Sequence, residues 1–340
     1  MSASRSWRSG ITRPANARRS THCSPSSSRT RGSSTGTNPA SVRLAPDVRQ
    51  ALETGRPVVG LESSVLAQGL PAPHNAEAAT RMEAGVRGAG AVPAITAVVQ
   101  GQAAAGITPD ELRRFLAGTD VLKASARDLG VAVAEGKDAA TTVAGALIIC
   151  HVAGIRVFAT GGIGGVHHSA FDESADLIEL ARTPAIVVCA GAKSILNVPA
   201  TVERLETLGI TVIGYRTSEF PGFHYASTGM PVPARLDDVE KIVAAFRAQR
   251  ELGHPAAMLV VQQPPADSAL PREEVEFAIT VALEASRHAG IRGAATTPWV
   301  LSELARSTGG RSISVNLALL EANARLAAEL AVELARRDDS

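Results

Sequence analysis

From about residue 45 the chain alternates short apolar runs with stretches whose apolar residues recur every three or four positions, without a long linker or an internal repeat. Runs rich in Val, Ile and Ala at 57–61, 94–99, 121–124, 156–160, 185–189, 211–215 and 257–261 predict strands, several of them apolar on both faces as in a parallel sheet. Helical periodicity predicts helices over 75–88, 109–116, 141–153, 172–181, 200–208, 236–249, 272–289, 298–307 and 314–336. One wound α/β domain over 45–336 is the simplest account of this alternation.

Several strands end in residues of chemical type, at the edge where open α/β sheets bind ligands. Lys193 follows the 185–189 run across the small residues Ala190, Gly191 and Ala192. Glu62 follows 58–61, and the turn Gly161-Gly162-Ile163-Gly164-Gly165 follows 157–160. If these strands are parallel neighbours, all three features face one cleft. A lysine among apolar neighbours loses hydration and becomes an amine able to form an imine; the other reading is a surface lysine just past a strand. Partial burial suits Glu62 to proton transfer, and it lies too far upstream to cap the helix near 75.

The glycine turn lacks the spacing of a dinucleotide fingerprint, but its N–H groups are candidates for anion binding; a tight turn between strand and helix is the alternative. His167 and His168 are adjacent and so should point in different directions. Asp172 is the expected N-cap of the helix over 172–181. Asp176 stands four residues on, so both carboxylates would share one helical face and, with waters, suit Mg²⁺ or Mn²⁺. Lys123, near the end of the 121–124 run, is a candidate phosphate-binding cation. The segment from Gly136 to Val143 lacks the glycine spacing of a Walker A loop and is expected to start a helix at Thr141 or Thr142.

Composition narrows the class. Hydrophobic residues make up 45% of the 340 and aromatics only 3%, so the core is built mostly of Ala, Val, Leu and Ile. The first 44 residues carry eight Arg and no Lys, Asp or Glu, leaving 26 basic against 33 acidic residues, a net charge of −7, in the remainder. A body that acidic argues against nucleic-acid binding through a broad basic face. Residues 1–44 form a basic, Ser/Arg-rich stretch without hydrophobic periodicity, expected to be a disordered extension; such leaders also resemble organelle transit peptides. No apolar stretch approaches the roughly 18 residues of a membrane helix and no secretory h-region is visible, so a soluble cytoplasmic protein with no membrane partner is expected. The scatter of Cys23, Cys150 and Cys189 fits reduced thiols.

Five blocks in order carry a resemblance: Leu61-Glu62-Ser63-Ser64, Ala140-Thr141-Thr142-Val143-Ala144, the segment from Phe158 to His167, Ser174-Ala175-Asp176-Leu177 and Cys189-Ala190-Gly191-Ala192-Lys193-Ser194. Together they strongly resemble the pseudouridine-5′-phosphate glycosidase family, also called indigoidine synthase A-like. The resemblance implies a three-layer α/β/α fold around a central, largely parallel mixed sheet, a homotrimer, and one Mn²⁺ per subunit. It implies reversible cleavage of pseudouridine 5′-phosphate to uracil and ribose 5-phosphate, in pseudouridine catabolism. By position, Lys193 is the implied imine-forming nucleophile, Glu62 the proton donor and Asp172 the metal ligand. Lys123, Val143, Ser174, Ala175, Asp176 and Asn316 are the implied substrate-binding positions.

Three features depart from the family pattern: a short loop over 167–171, Asn197 where Asp is common, and Gln263 before Pro264 where Asn is usual. None removes a central catalytic group. The implied chemistry explains the lysine, because the leaving atom is carbon: uracil C5 must be protonated while an imine at C1′ of the ring-opened sugar supplies the electronic outlet. The same site permits a C-ribosylating synthase or a glycosidase of another C-nucleotide. A lysine-imine sugar-phosphate aldolase would need no uracil pocket. A non-catalytic phosphosugar-binding protein would have no reason to place both Glu62 and Lys193 at strand ends.

Overall fold

The computed structural model describes residues 42–169, 171–291 and 296–336. Among them run the strands β1 (Arg43–Leu44), β2 (Val58–Leu61), β3 (Val92–Val99), β4 (Gln102–Ala105), β5 (Leu122–Ala124), β6 (Ala139–Thr141), β7 (Val157–Ala159), β8 (Ile186–Cys189), β9 (Thr211–Tyr215), β10 (Ala234–Leu236) and β11 (Met258–Val261). The helices are α1 (Pro46–Glu53), α2 (His74–Gly88), α3 (Pro109–Ala117), α4 (Leu129–Ala134), α5 (Val143–Ala153), α6 (Ala175–Arg182), α7 (Val198–Thr207), α8 (Val239–Glu251), α9 (Arg272–His288), α10 (Thr296–Ser307) and α11 (Arg311–Arg336). A π-helical turn, Val65–Gly69, follows β2.

The strands form a mixed, mostly parallel sheet in the order β1-β4-β3-β2-β7-β8-β11-β9-β10, with helices flanking it. Every residue of β2, β8 and β11 is buried, which is why these strands read as unbroken apolar runs. The long β3 serves three partners. Its first half pairs parallel with β2 from Val92 to Ile95, and its second half pairs antiparallel with β4 and β6. Through β6 the second half of β3 also carries β5, whose Lys123 reaches the cleft at the ends of the central strands.

Neighbouring β2, β7 and β8 are parallel and in register, with Leu61 beside Ala159 and Ala159 beside Val188. The adjacency on which a shared cleft depends is therefore present. The long helix α11 packs on α2 and across β2, β7 and β8, burying an apolar face that includes Val315, Leu319, Leu326 and Leu330.

Residues 1–41, most of the expected extension, lie outside the described residues. Arg43 and Leu44, however, belong to the fold: β1 pairs with Ala104 and Ala105, and Arg43 Nη2 donates to Glu111 at 2.9 Å. The short β1, β4, β6 and β10 and the helices α1 and α4 were not expected from the sequence pattern, although α1 sets Val48, Ala51 and Leu52 at helical spacing against the core. Cys150 and Cys189 are free and buried, and burial pushes both thiols up to about 12. No helix among the described residues is long and apolar enough to cross a membrane.

Candidate active site

Glu62 leaves the end of β2 almost fully buried, 2% exposed. Thr160, one residue past β7, donates its hydroxyl to Oε1, and Ser64 donates to Oε2 at 2.6 Å. Both oxygens are thereby held in place by short-stemmed donors. Asn323 of α11 supports this corner, donating from Nδ2 to the Thr160 carbonyl at 2.8 Å and accepting from Gln262 at 2.8 Å.

Lys193 stands past β8 on a loop tied to the glycine turn, its N–H bonding the Ile163 carbonyl at 3.1 Å. Glu62, Lys123 and Lys193 line one inner cleft, together with Val65, Gln68, Phe223, Leu301 and Asn316. The two lysines also line a wider outer cavity, with Ser125, Arg127, Thr142, His167, Asp172 and Ser174. The inner and outer spaces thus meet at two amines. Lys123 is exposed as a residue, yet protein crowds its amine. That loss of hydration, reinforced by the Lys193 charge, lowers its pKa against the pull of Glu62 and Asp176.

The outer wall is built by two helix starts. Thr142 caps α5, its hydroxyl accepting from Gly145 N–H, and Ser174 caps α6, accepting from Asp176 N–H at 3.2 Å. Asp176, 4% exposed, binds both the Ala144 N–H at 2.9 Å and the Gly164 N–H at 2.8 Å. Its carboxylate therefore joins the start of α5 to the glycine turn. The side chain of Val143 is buried, so this residue can offer a ligand only its main chain, at the front of α5.

Two expectations are corrected here. Asp172 is not the N-cap of α6: the helix begins at Ala175 and Ser174 caps it. Asp172 and Asp176 consequently share no helical face, because Asp172 precedes the helix and is exposed at the outer cavity while Asp176 is turned onto backbone N–H groups. Within the glycine turn, two N–H groups are already taken. Ile163 N–H bonds Gly191 and Gly164 N–H bonds Asp176, both protein acceptors. Close packing explains the glycines: a Cβ on Gly164 would lie 2.2 Å from Ser174 Oγ, and one on Gly162 2.5 Å from Phe223.

His167 lines the outer cavity, whereas His168 lines a separate pocket beside Tyr225 and Arg272. Asn197 caps α7 through Oδ1, which accepts from Ala200 N–H at 3.1 Å, a bond that Asp would make equally. Gln263 is exposed and lines neither cavity. Asn316, 7% exposed, lines the inner cleft. Gln68, Thr160, Phe223 and Asn323 were missed. A signal existed for one of them: Asn316 and Asn323 are seven apart on an otherwise apolar helix face, where amides need a reason to be buried.

A buried carboxylate and an amine over one cleft, at the C-terminal edge of a mostly parallel α/β sheet, define an enzyme. Residues 47–333 match the family model described as indigoidine synthase A like protein, and the chain belongs to that family. It is 58% identical over 293 residues to a pseudouridine-5′-phosphate glycosidase of Gemmatimonas aurantiaca, spanning 86% of this chain and 96% of the relative. A protein of the same name from Herpetosiphon aurantiacus is 52% identical over 294 residues, spanning 86% and 97%. Among solved structures, the prealnumycin C-glycosynthase AlnA in complex with ribulose 5-phosphate superposes with a TM-score of 0.81 at 38% identity, covering 88% of this chain and 98% of its own. An indigoidine synthase A-like protein of Thermotoga maritima gives 0.80 at 36% identity, covering 87% and 97%.

Proposed function

We propose that this enzyme reversibly cleaves the C–C glycosidic bond of pseudouridine 5′-phosphate, giving uracil and ribose 5-phosphate. The observation that carries this reading is the convergence of Glu62 and Lys193 on one cleft whose outer half is lined by cations and helix starts. The names of the relatives support it.

In this reading the phosphate lies in the outer cavity, against Lys123, Arg127, Thr142 and the Ser174 hydroxyl, with the main-chain N–H groups of Val143 and Ala175 at the starts of α5 and α6 turned to it. Asp176 holds those two helix starts in position. The base then enters the inner cleft. The Lys193 amine adds to C1′ as the C1′–O4′ bond breaks, and O4′ takes a proton. The nitrogen lone pair next forms C1′=N as the C1′–C5 bond breaks; its electron pair stays with the base, and C5 is protonated. Glu62 handles the protons at O4′ and C5. Water hydrolyses the imine, releasing ribose 5-phosphate and restoring the amine.

A divalent cation, Mn²⁺ at one per subunit, belongs to the same reading, with Asp172 as its protein ligand. No group of three or more His, Cys, Asp or Glu among the described residues is arranged to hold a metal. The exposed Asp172 carboxylate at the outer cavity would hold such an ion only as a hard cation that keeps most of its waters. Such an ion supplies positive charge that orders water and the phosphosugar. Exposed Phe277 and Val281, one turn apart on α9, support a homotrimer in which such faces are covered. A phosphorylated substrate, whose charge keeps it from crossing a membrane unaided, supports a cytoplasmic reaction.

One observation favours a second reading, a synthase joining a base to a phosphosugar: the likeness to a C-glycosynthase. The test is to incubate the protein with pseudouridine 5′-phosphate and follow free uracil, then to trap the sugar with borohydride and map the modified peptide. Uracil release with a tag on Lys193 is expected; no release, or a tag on Lys123 alone, overturns the reading.

A further inference from the structure

Two side-chain carbonyl oxygens in the inner cleft are buried and accept no hydrogen bond from the described residues: Oε1 of Gln68 and Oδ1 of Asn316. A buried acceptor left unpaired is costly, so two of them beside the reacting groups mark where donors of a ligand sit. The orientation of the Gln68 amide is fixed by its other end. Nε2 donates to the Val121 carbonyl at 3.1 Å, and turning the amide over would set oxygen against oxygen.

Gln68 belongs to the π-helical turn Val65–Gly69, closed by the Leu70 N–H bonding the Val65 carbonyl at 3.0 Å. Single π turns recur at functional sites. Val65, Phe223 and Leu301 supply apolar walls to the same space, suited to the faces of a planar ring.

The chemistry of the base completes the match. A uracil joined to its sugar through C5 keeps two ring N–H donors, N1–H and N3–H, whereas one joined through N1 keeps a single ring N–H. We infer that Gln68 Oε1 and Asn316 Oδ1 accept the two ring N–H groups, making Gln68 a specificity-determining residue that selects the C-linked nucleotide over its N-linked isomer. The N-linked isomer leaves one buried acceptor unpaired, the situation in which sites discriminate most strongly. This inference rests on the proposed cleavage of pseudouridine 5′-phosphate.

The test compares kcat/KM for pseudouridine 5′-phosphate and its N1-methyl and N3-methyl derivatives in the wild type and in Gln68→Met, which keeps length but lacks the acceptor. Each methyl group is expected to cost the wild type about 30-fold, and Gln68→Met about 30-fold on the unmodified substrate. In Gln68→Met one of the two methyl penalties should shrink below about threefold while the other persists. Borohydride trapping of ribose 5-phosphate on Lys193 needs no base and should proceed in the variant as in the wild type. If Gln68→Met fails to trap sugar, Gln68→Asn, which withdraws the amide by one methylene, must show the same selective loss. Wild-type kinetics in the variant, or a general loss with both penalties intact, overturns the assignment. A wild-type protein that releases no uracil overturns instead the functional reading beneath it.

Discussion

Thr160 and Glu62 are joined across neighbouring parallel strands, the hydroxyl just past β7 donating to the carboxylate just past β2. Ser64 holds the second oxygen, so the orientation of the acid is set from two sides. Thr160→Val removes one of these donors while keeping the shape, and is expected to lower kcat about tenfold with little change in KM; Thr160→Ser should restore most of it. Glu62→Gln removes the transferable proton and should cost at least about 100-fold. Steady-state uracil release from pseudouridine 5′-phosphate measures all three.

The two amines of the cleft separate by what each is asked to do. Lys193→Arg keeps a cation but cannot form an imine, so turnover and borohydride trapping should both vanish while the thermal midpoint stays within a few degrees of wild type. Lys123 is expected to act as a charge on the phosphate, and burial together with the Lys193 charge lowers its pKa. As pH rises through that lowered pKa the charge is lost, and KM should climb at a pH below the ordinary lysine range. Lys123→Arg, charged throughout, should abolish the climb. A KM profile unchanged by this substitution would remove Lys123 from phosphate binding.

The sequence carried the centre of this architecture and lost its margins for a physical reason. β2, β7, β8 and β11 are buried on both faces, so their apolar runs stand out; β4 and β10 keep polar or exposed residues and leave little pattern. Glu62 and Lys193 were legible because each interrupts a strand's apolar run at its C-terminal end. Asp172 was misplaced as a cap because a cap is decided by which side chain reaches the free N–H groups, and Ser174, two residues on, reaches them. Gln68 left no signal, since its free oxygen arises from a π turn and from a bond to Val121, 53 residues away.

Asp172 offers a carboxylate that pairs with no described residue, at the rim of the cavity that Lys123 and Lys193 share. If it holds the cation, Asp172→Ala should weaken Mn²⁺ binding at least about tenfold, read from the free-ion signal in electron paramagnetic resonance titrations of the substrate-free protein. Each oxygen of the buried Asp176 carboxylate already accepts a backbone N–H, so Asp176→Asn should leave Mn²⁺ affinity within about twofold and instead lower the thermal midpoint. Equal Mn²⁺ affinity in wild type and Asp172→Ala would move the metal elsewhere.

Next to Lys193, Ser194 shares a 2.8 Å hydrogen bond with His224 Nδ1, and both side chains are buried. Burial pushes the histidine down to about 3, so the folded protein holds it neutral where the unfolded chain, near its ordinary 6.5, would take up a proton. The unfolded state therefore binds more protons between those values. The stabilisation is fully present above about pH 6.5 and is lost as pH falls toward about 3, with a limiting slope of about 1.4 kcal/mol per pH unit. Between about pH 7 and pH 5 this one residue should cost the wild type about 2 kcal/mol of unfolding free energy. His224→Phe removes the titrating group while filling the space, so its urea midpoint should fall less over the same interval even if its stability at pH 7 is lower. Parallel losses in the two proteins would show that His224 is not neutral in the fold.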